Sequence, residues 1–338
     1  MERGRGPGVR ERLESEERVG AVSHLVMGRR RGRLHLEMAD GGMLFVALVW
    51  GANYPLMKFA LAHLDPVVFN AMRMAVAVLV LPVLALLLRT NLRVSRGDLG
   101  KLFVLGMLGY TGYQLLFIHG IARTTASNAS LVLSTSPVWV ALLGALLGVE
   151  RVGQLGWLGM FSSVAGIALL VTGKGDSLHL GTSTVVGDLL ILIGCVTWAF
   201  YTLGCKPLIH RYGSMPVTIY SLLLGVWPLI LLALPRVPTQ PWGQMGWEVY
   251  GVAVFSGLFA IAAGYVIWNL GIGRLGPTRT AVYVLVSPVV SAMIGWLWLG
   301  ERFGSLQWVG AALTLAGVIL TRLSKSLAKE KPGGETGD

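Results

Sequence analysis

The sequence predicts an all-α integral membrane protein in which ten transmembrane helices form two inverted five-helix repeats around a central cavity. Three observations carry that prediction. Of 338 residues, 54% are hydrophobic and only 13% are charged, about half the charged share of a soluble domain. From Gly42 onward, apolar runs of about 18–24 residues follow one another, each long enough to cross a bilayer. The two halves of the chain also repeat each other residue by residue.

The runs fall at about 42–62, 66–88, 99–120, 126–148, 153–173, 186–206, 214–234, 248–271, 277–299 and 304–322. Short connections that carry Gly and Pro separate them. Residues 1–41 are rich in Arg, Glu and Gly and have no sustained apolar period. They read as a disordered cytosolic tail, or as an overlong start with initiation at Met27, Met38 or Met43. A cleaved signal peptide is not expected, because no apolar core follows the early charges until Met43. Residues 42–173 then form a first repeat, 174–185 a linker, 186–322 a second repeat and 323–338 a cytosolic tail.

The formal net charge is +11, which raises the question of nucleic acid. The basic residues lie in short gaps between apolar runs rather than on one face, so no nucleic-acid partner is expected. They read instead as topology signals. With the N-terminus inside, the inner connections hold Arg89, Arg93, Arg96, Lys101, Arg151, Lys206, Arg211, Arg274 and Arg279, with more on the C-terminal tail. The outer side holds Lys58, Arg123, Lys174, Arg236 and Arg302. That asymmetry predicts both termini in the cytoplasm, in a bacterial or archaeal cytoplasmic membrane. Cys195 and Cys205 share one run; about 15 Å apart along a helix, they cannot form a disulfide.

A shift of 151 lays "LLGVERVGQLGWLGMFSSVAGIALL" on "WLWLGERFGSLQWVGAALTLAGVIL". Glu150 meets Glu301, Trp157 meets Trp308, Gly159 meets Gly310 and Gly166 meets Gly317. In the same register Gly106 meets Gly257, Gly120 meets Gly271, and Ser136-Pro137 meets Ser287-Pro288. Nearer the start of each half the shift is 148, and Trp50 meets Trp198 while Lys58 meets Lys206. Five spans per half is an odd number, so the second half enters the membrane upside down. Inverted repeats of this kind belong to secondary transporters, with the substrate bound between the halves near mid-membrane. An enzyme is not expected: there is no HExxH, no Asp-rich metal pair and no nucleophile beside a base. A channel remains the alternative from another class.

The stretches "WGANYPLMKFAL", "RTTASNASLVLSTSPVWVALLGALLGVERV" and "RLGPTRTAVYVLVSPVVSAMIGWLWLGERF" resemble the EamA-type branch of the drug/metabolite transporter superfamily. The resemblance covers about residues 42–322; the first repeat departs in "GVER", where "GER" is usual. It implies ten helices, both termini inside, a central cavity and the export or exchange of small metabolites, often amino acids. An organophosphate or nucleotide-sugar carrier, like more distant relatives, is the alternative; it needs several cations in the cavity. The partners expected are a small-molecule substrate and membrane lipid, with no cofactor and no metal, in a monomer or homodimer.

Helical spacing places Trp50, Asn53, Tyr54 and Met57 on one face of the first span. Trp198, Tyr201, Thr202 and Cys205 form the matching face of the sixth. The third span offers Tyr110, Tyr113, Gln114 and Phe117, and the eighth Gly264, Tyr265, Trp268 and Asn269. Aromatic surface with isolated hydrogen-bonding groups suits a pocket for an amphipathic molecule, and equally suits polar bridges between helices. In the fourth and ninth spans Pro137 and Pro288 each free a carbonyl, with Ser130, Ser134, Tyr283 and Ser287 alongside. Glu150-Arg151 and Glu301-Arg302 read as headgroup-level anchors that set the turn into the next helix, with a gate or rim salt bridge as the alternative, and Lys58 and Lys206 as snorkelling lysines. No Asp or Glu is expected within a span, which points to facilitated diffusion or exchange rather than a carboxylate proton relay.

Arg73 stands inside the second span, where a charge costs roughly 2.5–3.5 kcal/mol. Asn70 lies one turn before it on the same face. Two roles are open for Arg73: to hold a substrate carboxylate, supported by Asn70 and Gln114, or to bond helix carbonyls as a structural residue. The substrate-contacting set expected is Trp50, Asn53, Tyr54, Asn70, Arg73, Tyr113, Gln114, Ser134, Trp198, Tyr201, Tyr265, Trp268 and Tyr283.

Overall fold

A computed structural model describes residues 38–124, 126–172, 182–298 and 304–324. Those residues are mostly helical, without a strand, and the helices are named by membrane span. They are α1 (Met38–Leu61), α2 (Pro66–Leu87), α3 (Arg96–Arg123), α4 (Ala129–Leu146), α5 (Gln154–Thr172), α6 (Thr184–Tyr212), α8 (Trp247–Leu275), α9 (Pro277–Ile294) and α10 (Ser305–Leu323). Between α6 and α8, α7 is a pair, Ser214–Gly225 and Trp227–Thr239, bent by 40°. Pro228 opens its second piece, where the missing N–H makes the break inexpensive. Counting that pair as one span, the described residues hold ten candidate spans, as the sequence predicts.

The boundaries differ from the sequence in instructive ways. α1 begins at Met38, so Asp40 lies in its first turn rather than in a tail. α2 starts sharply because the Asp65 carboxylate accepts hydrogen bonds from Val67 N and Val68 N, with Pro66 at the first helical position. α3 and α8 each contain a π-helical stretch, Met107–Gly112 and Ser256–Ala263. Under the shift of 151 these stretches coincide. α4 breaks before Pro137, and α9 passes through a 3₁₀ turn, Tyr283–Leu285, before Pro288. These breaks coincide as well.

Symmetry-related close approaches hold the halves together. α5 crosses α10 where Gly166 faces Gly310 and Gly159 faces Gly317; a Cβ on Gly166 would lie 2.6 Å from the Gly310 carbonyl oxygen. Ser163 and Thr314 are repeat mates, and Ser163 Oγ donates to Thr314 O at 3.0 Å. A residue that bonds its own mate lies beside the pseudo-two-fold axis. The same axis passes α3 and α8, where Gln114 Nε2 donates to its mate Tyr265 OH at 2.7 Å. Small residues at these crossings let backbones meet, which is how helices associate without a hydrophobic driving force.

The distribution of polarity is that of a membrane bundle. Asn53, Asn70, Arg73, Gln114, Thr218 and Asn269 are buried, while Leu79, Leu86, Leu146 and Phe161 are exposed on the perimeter. A soluble fold would not leave so many large apolar side chains outward. Cys195 and Cys205 are both free and buried.

Candidate functional site

The site forms where α1, α2, α3 and α8 meet at mid-bundle. Trp50, Asn53, Tyr54, Arg73, Tyr113, Gln114, Phe117, Ala260, Ile261 and Tyr265 line a cavity of about 40 Å³. That volume admits a few waters.

The π-helical stretch of α8 shapes one wall. Such a turn puts a carbonyl out of register with its own helix, and Trp50 Nε1 donates to Ala260 O at 3.0 Å. Gly257 lies where a Cβ would meet Arg73 O at 2.7 Å, so α8 rides against α2 beside the arginine.

Arg73 is only 2% exposed. Its Nη1 donates to Asn70 Oδ1 at 3.3 Å, and Asn70 Nδ2 donates to Gln114 O at 3.3 Å. Its guanidinium carbon stands 5.6 Å from the centre of the Phe69 ring. Its Nε has no partner. Two acceptors in the same cavity are also unanswered, Asn53 Oδ1 and Gln114 Oε1, although Asn53 Nδ2 reaches Met57 Sδ at 3.0 Å. Each unanswered buried polar atom costs about 1–3 kcal/mol until water or a ligand reaches it. The three residues that carry these atoms, Arg73, Asn53 and Gln114, all line the same small cavity.

Two faces of the bundle are distinguished by the chain. The terminal face holds the start of α1 and the end of α10; the opposite face holds the end of α1 and the start of α2. Toward the terminal face an aromatic floor closes the site. Trp198 lies 5.0 Å from Tyr265, 5.2 Å from Trp268 and 4.9 Å from Tyr113, and Trp50 stacks on Trp268 at 5.4 Å. Below it, the Asp40 carboxylate accepts from Arg322 Nε at 2.7 Å and Nη2 at 2.9 Å, and from Tyr283 OH. Glu150 Oε2 accepts from Thr278 N and Oγ1, both at 3.0 Å, which caps the start of α9. Lys206 Nζ donates to Val149 O at 3.3 Å, and Arg279 Nη2 donates to Ser324 O. Each of these hydrogen bonds joins one repeat to the other, apart from that of Arg279.

A model of the EamA-like transporter family matches residues 38–172 and again 185–323. The chain belongs to that family. Uncharacterized transporter YyaM of Bacillus subtilis (strain 168) is 26% identical over 296 residues, covering 86% of this chain and 96% of its own. An uncharacterized transporter of Archaeoglobus fulgidus is 30% identical over 274 residues, 81% of this chain and 93% of its own. A probable terminal-alkyne amino-acid exporter of Streptantibioticus cattleyicolor is 27% identical over 289 residues, 85% of this chain and 94% of its own. A solved crystal structure superposes with a TM-score of 0.68 at 19% identity, covering 82% of this chain and 94% of that one, and shows the shared fold.

Within this EamA-type bundle the residues expected at the site divide. Trp50, Asn53, Tyr54, Arg73, Tyr113, Gln114 and Tyr265 line the cavity together. Asn70 stands behind Arg73. Trp198, Tyr201 and Trp268 lie in the aromatic floor; Trp268 Nε1 donates to Thr202 Oγ1 at 3.3 Å, and Tyr201 OH accepts from Asn269 Nδ2 at 3.1 Å. Ser134 Oγ bonds its own helix at Leu131 O, 2.6 Å away. Tyr283 belongs to the Asp40 cluster.

Three expectations outside that set are corrected. Asp40, expected in a tail, is fully buried in the first turn of α1, and Glu150 is nearly buried in the connection between α4 and α5, each answered by the partners above. Glu150 is therefore an inter-repeat cap rather than a headgroup anchor, and Lys206 is tied to a carbonyl rather than snorkelling freely. Glu301, its mate, lies outside the described residues. Ala260 and Ile261 were not foreseen as lining, because aliphatic residues in a π-helical stretch carry no signal in the sequence.

Proposed function

We propose that the chain is a secondary transporter of amino acids or closely related small molecules, working by alternating access as an exporter. Membership of a transporter family supplies the coarse class. The observation that carries the finer reading is the unanswered trio in the cavity: Arg73 Nε, Asn53 Oδ1 and Gln114 Oε1. A guanidinium answers a carboxylate, two amide oxygens answer an ammonium, and the rings of Trp50, Tyr54, Tyr113 and Phe117 offer apolar contact. The name of the Streptantibioticus relative agrees with this class. Arg73 is the sole Lys or Arg on the lining of that cavity, which disfavours a polyanionic organophosphate. The inverted repeats supply the symmetry on which rocking about a fixed central site rests. The charge asymmetry of the connections supports both termini in the cytoplasm, so the terminal face is the inner one.

The test is counterflow of labelled L-amino acids in proteoliposomes holding the whole chain. Replacing Arg73 by Gln removes a charge-assisted bond of about 1.5–3 kcal/mol, a loss of roughly ten- to hundredfold in transport efficiency. Arg73→Lys, a point charge without the planar fork, falls between. Unchanged amino-acid counterflow in a folded Arg73→Gln variant refutes the reading.

A further inference from the structure

A second cavity, of about 240 Å³, opens on the opposite half of the bundle. Ile121, Ala129 and Leu133 form its apolar wall, Ser130 and Ser291 add hydroxyls, and Lys58 supplies a cation. Tyr54 lines this cavity and the central one alike, so one half-buried ring is the wall between them. Tyr54 and Lys58 are one helical turn apart on α1, about 6 Å along the axis. Lys58 has no ion-pair or hydrogen-bond partner among the described residues.

The repeat mate sharpens this. Lys206 occupies the same place in the second half, on the terminal face, and there its Nζ is held by Val149 O. The structure therefore shows one lysine of the pair tied down on the sealed side and the other free in an open cavity. In an inverted repeat, rocking exchanges the environments of the two halves.

We propose that the Lys58 cavity is a second, outer station for the substrate, holding the carboxylate of an amphipathic amino acid after it leaves Arg73 past Tyr54. This rests on the amino-acid reading above. Lys58 Nζ takes the carboxylate, and the wall of Ile121, Ala129 and Leu133 takes the apolar side chain. Lys206 is the corresponding group on the inner face when the bundle opens there.

The test labels the cavity in the whole chain in proteoliposomes. Ser130→Cys places a thiol in the wall, and the native Cys195 and Cys205 are buried away from a membrane-impermeant thiol reagent. L-leucine, hexanoate and the neutral hexanamide are then tried as protectants. With Lys58 present, hexanoate and L-leucine slow labelling about fivefold more than hexanamide, the strength of a half-exposed ion pair. Lys58→Gln abolishes that difference, and Lys58→Arg retains it. Protection by hexanoate without protection by L-leucine supports the station and refutes the amino-acid reading. Equal protection by hexanamide, no protection by hexanoate, or protection unchanged in Lys58→Gln overturns the station, while Arg73-dependent L-leucine counterflow judges the amino-acid reading separately.

Discussion

Substituting Asp40 by Asn tests the polar seal on the terminal face most directly. Asp40 is fully buried, and Arg322 meets it with two bonds at 2.7 and 2.9 Å. The pair also complements two helix dipoles, since Asp40 is in the first turn of α1 and Arg322 in the last turn of α10. Asn keeps the shape and removes the charge, leaving a guanidinium without its counter-ion. Removing one partner of a buried pair costs about 3–5 kcal/mol. The Arg322 side chain is 17% exposed, so water relieves part of the penalty and the lower end applies. About 3 kcal/mol is roughly a 150-fold change in the equilibrium. The assay is the fraction of purified protein that stays folded in detergent after graded heating, for Asp40→Asn, Arg322→Gln and the double variant. Each single variant should be strongly destabilised, and the double should lose at least about 1 kcal/mol less than the sum of the singles. Strictly additive losses, or singles as stable as the parent, would refute the coupling and with it the seal.

Two further outcomes use the same assay. Gly166→Ala and Gly317→Ala are symmetry equivalents at the α5–α10 crossing, where added methyls meet backbone atoms. Overpacking of this kind costs about 1–3 kcal/mol, and the two losses should agree within about 0.5 kcal/mol. Clearly unequal losses would argue against a symmetric crossing. Glu150→Ala strips the cap from Thr278 and leaves a buried N–H unanswered, at about 2 kcal/mol, whereas Glu150→Gln keeps an acceptor and loses less. A Gln variant as weak as the Ala variant would show that charge, rather than the hydrogen bonds, holds α9.

Reading the site from sequence succeeds where helical spacing is enough. Trp50, Asn53 and Tyr54 share a face of α1, and Tyr113, Gln114 and Phe117 share a face of α3, and all six reach the cavity. The same spacing put Trp198, Tyr201 and Trp268 among the lining residues, yet they pack below it as floor. Spacing says which residues point together; it does not say whether they meet a void or another ring. Arg73 was recognisable as an anomaly because a charge in an apolar run demands an answer, but only its neighbours show that Asn70 is that answer and that Nε is left over.

The sequence by itself determined the membrane class, the number of spans and the inverted repeat, because span length, hydropathy and internal register are local or self-referential properties of the chain. The tertiary structure decided what no local property encodes. Asp40 looked like part of a tail until α1 brought it to Arg322, 282 positions away. Gln114 and Tyr265 bond across the axis at a separation of 151, and Tyr54 lines two cavities whose other walls come from five further helices. Burial and hydrogen-bond satisfaction depend on which helix faces which. That choice is made by small residues that meet at crossings although they are far apart in the chain, so it appears only once the helices are packed.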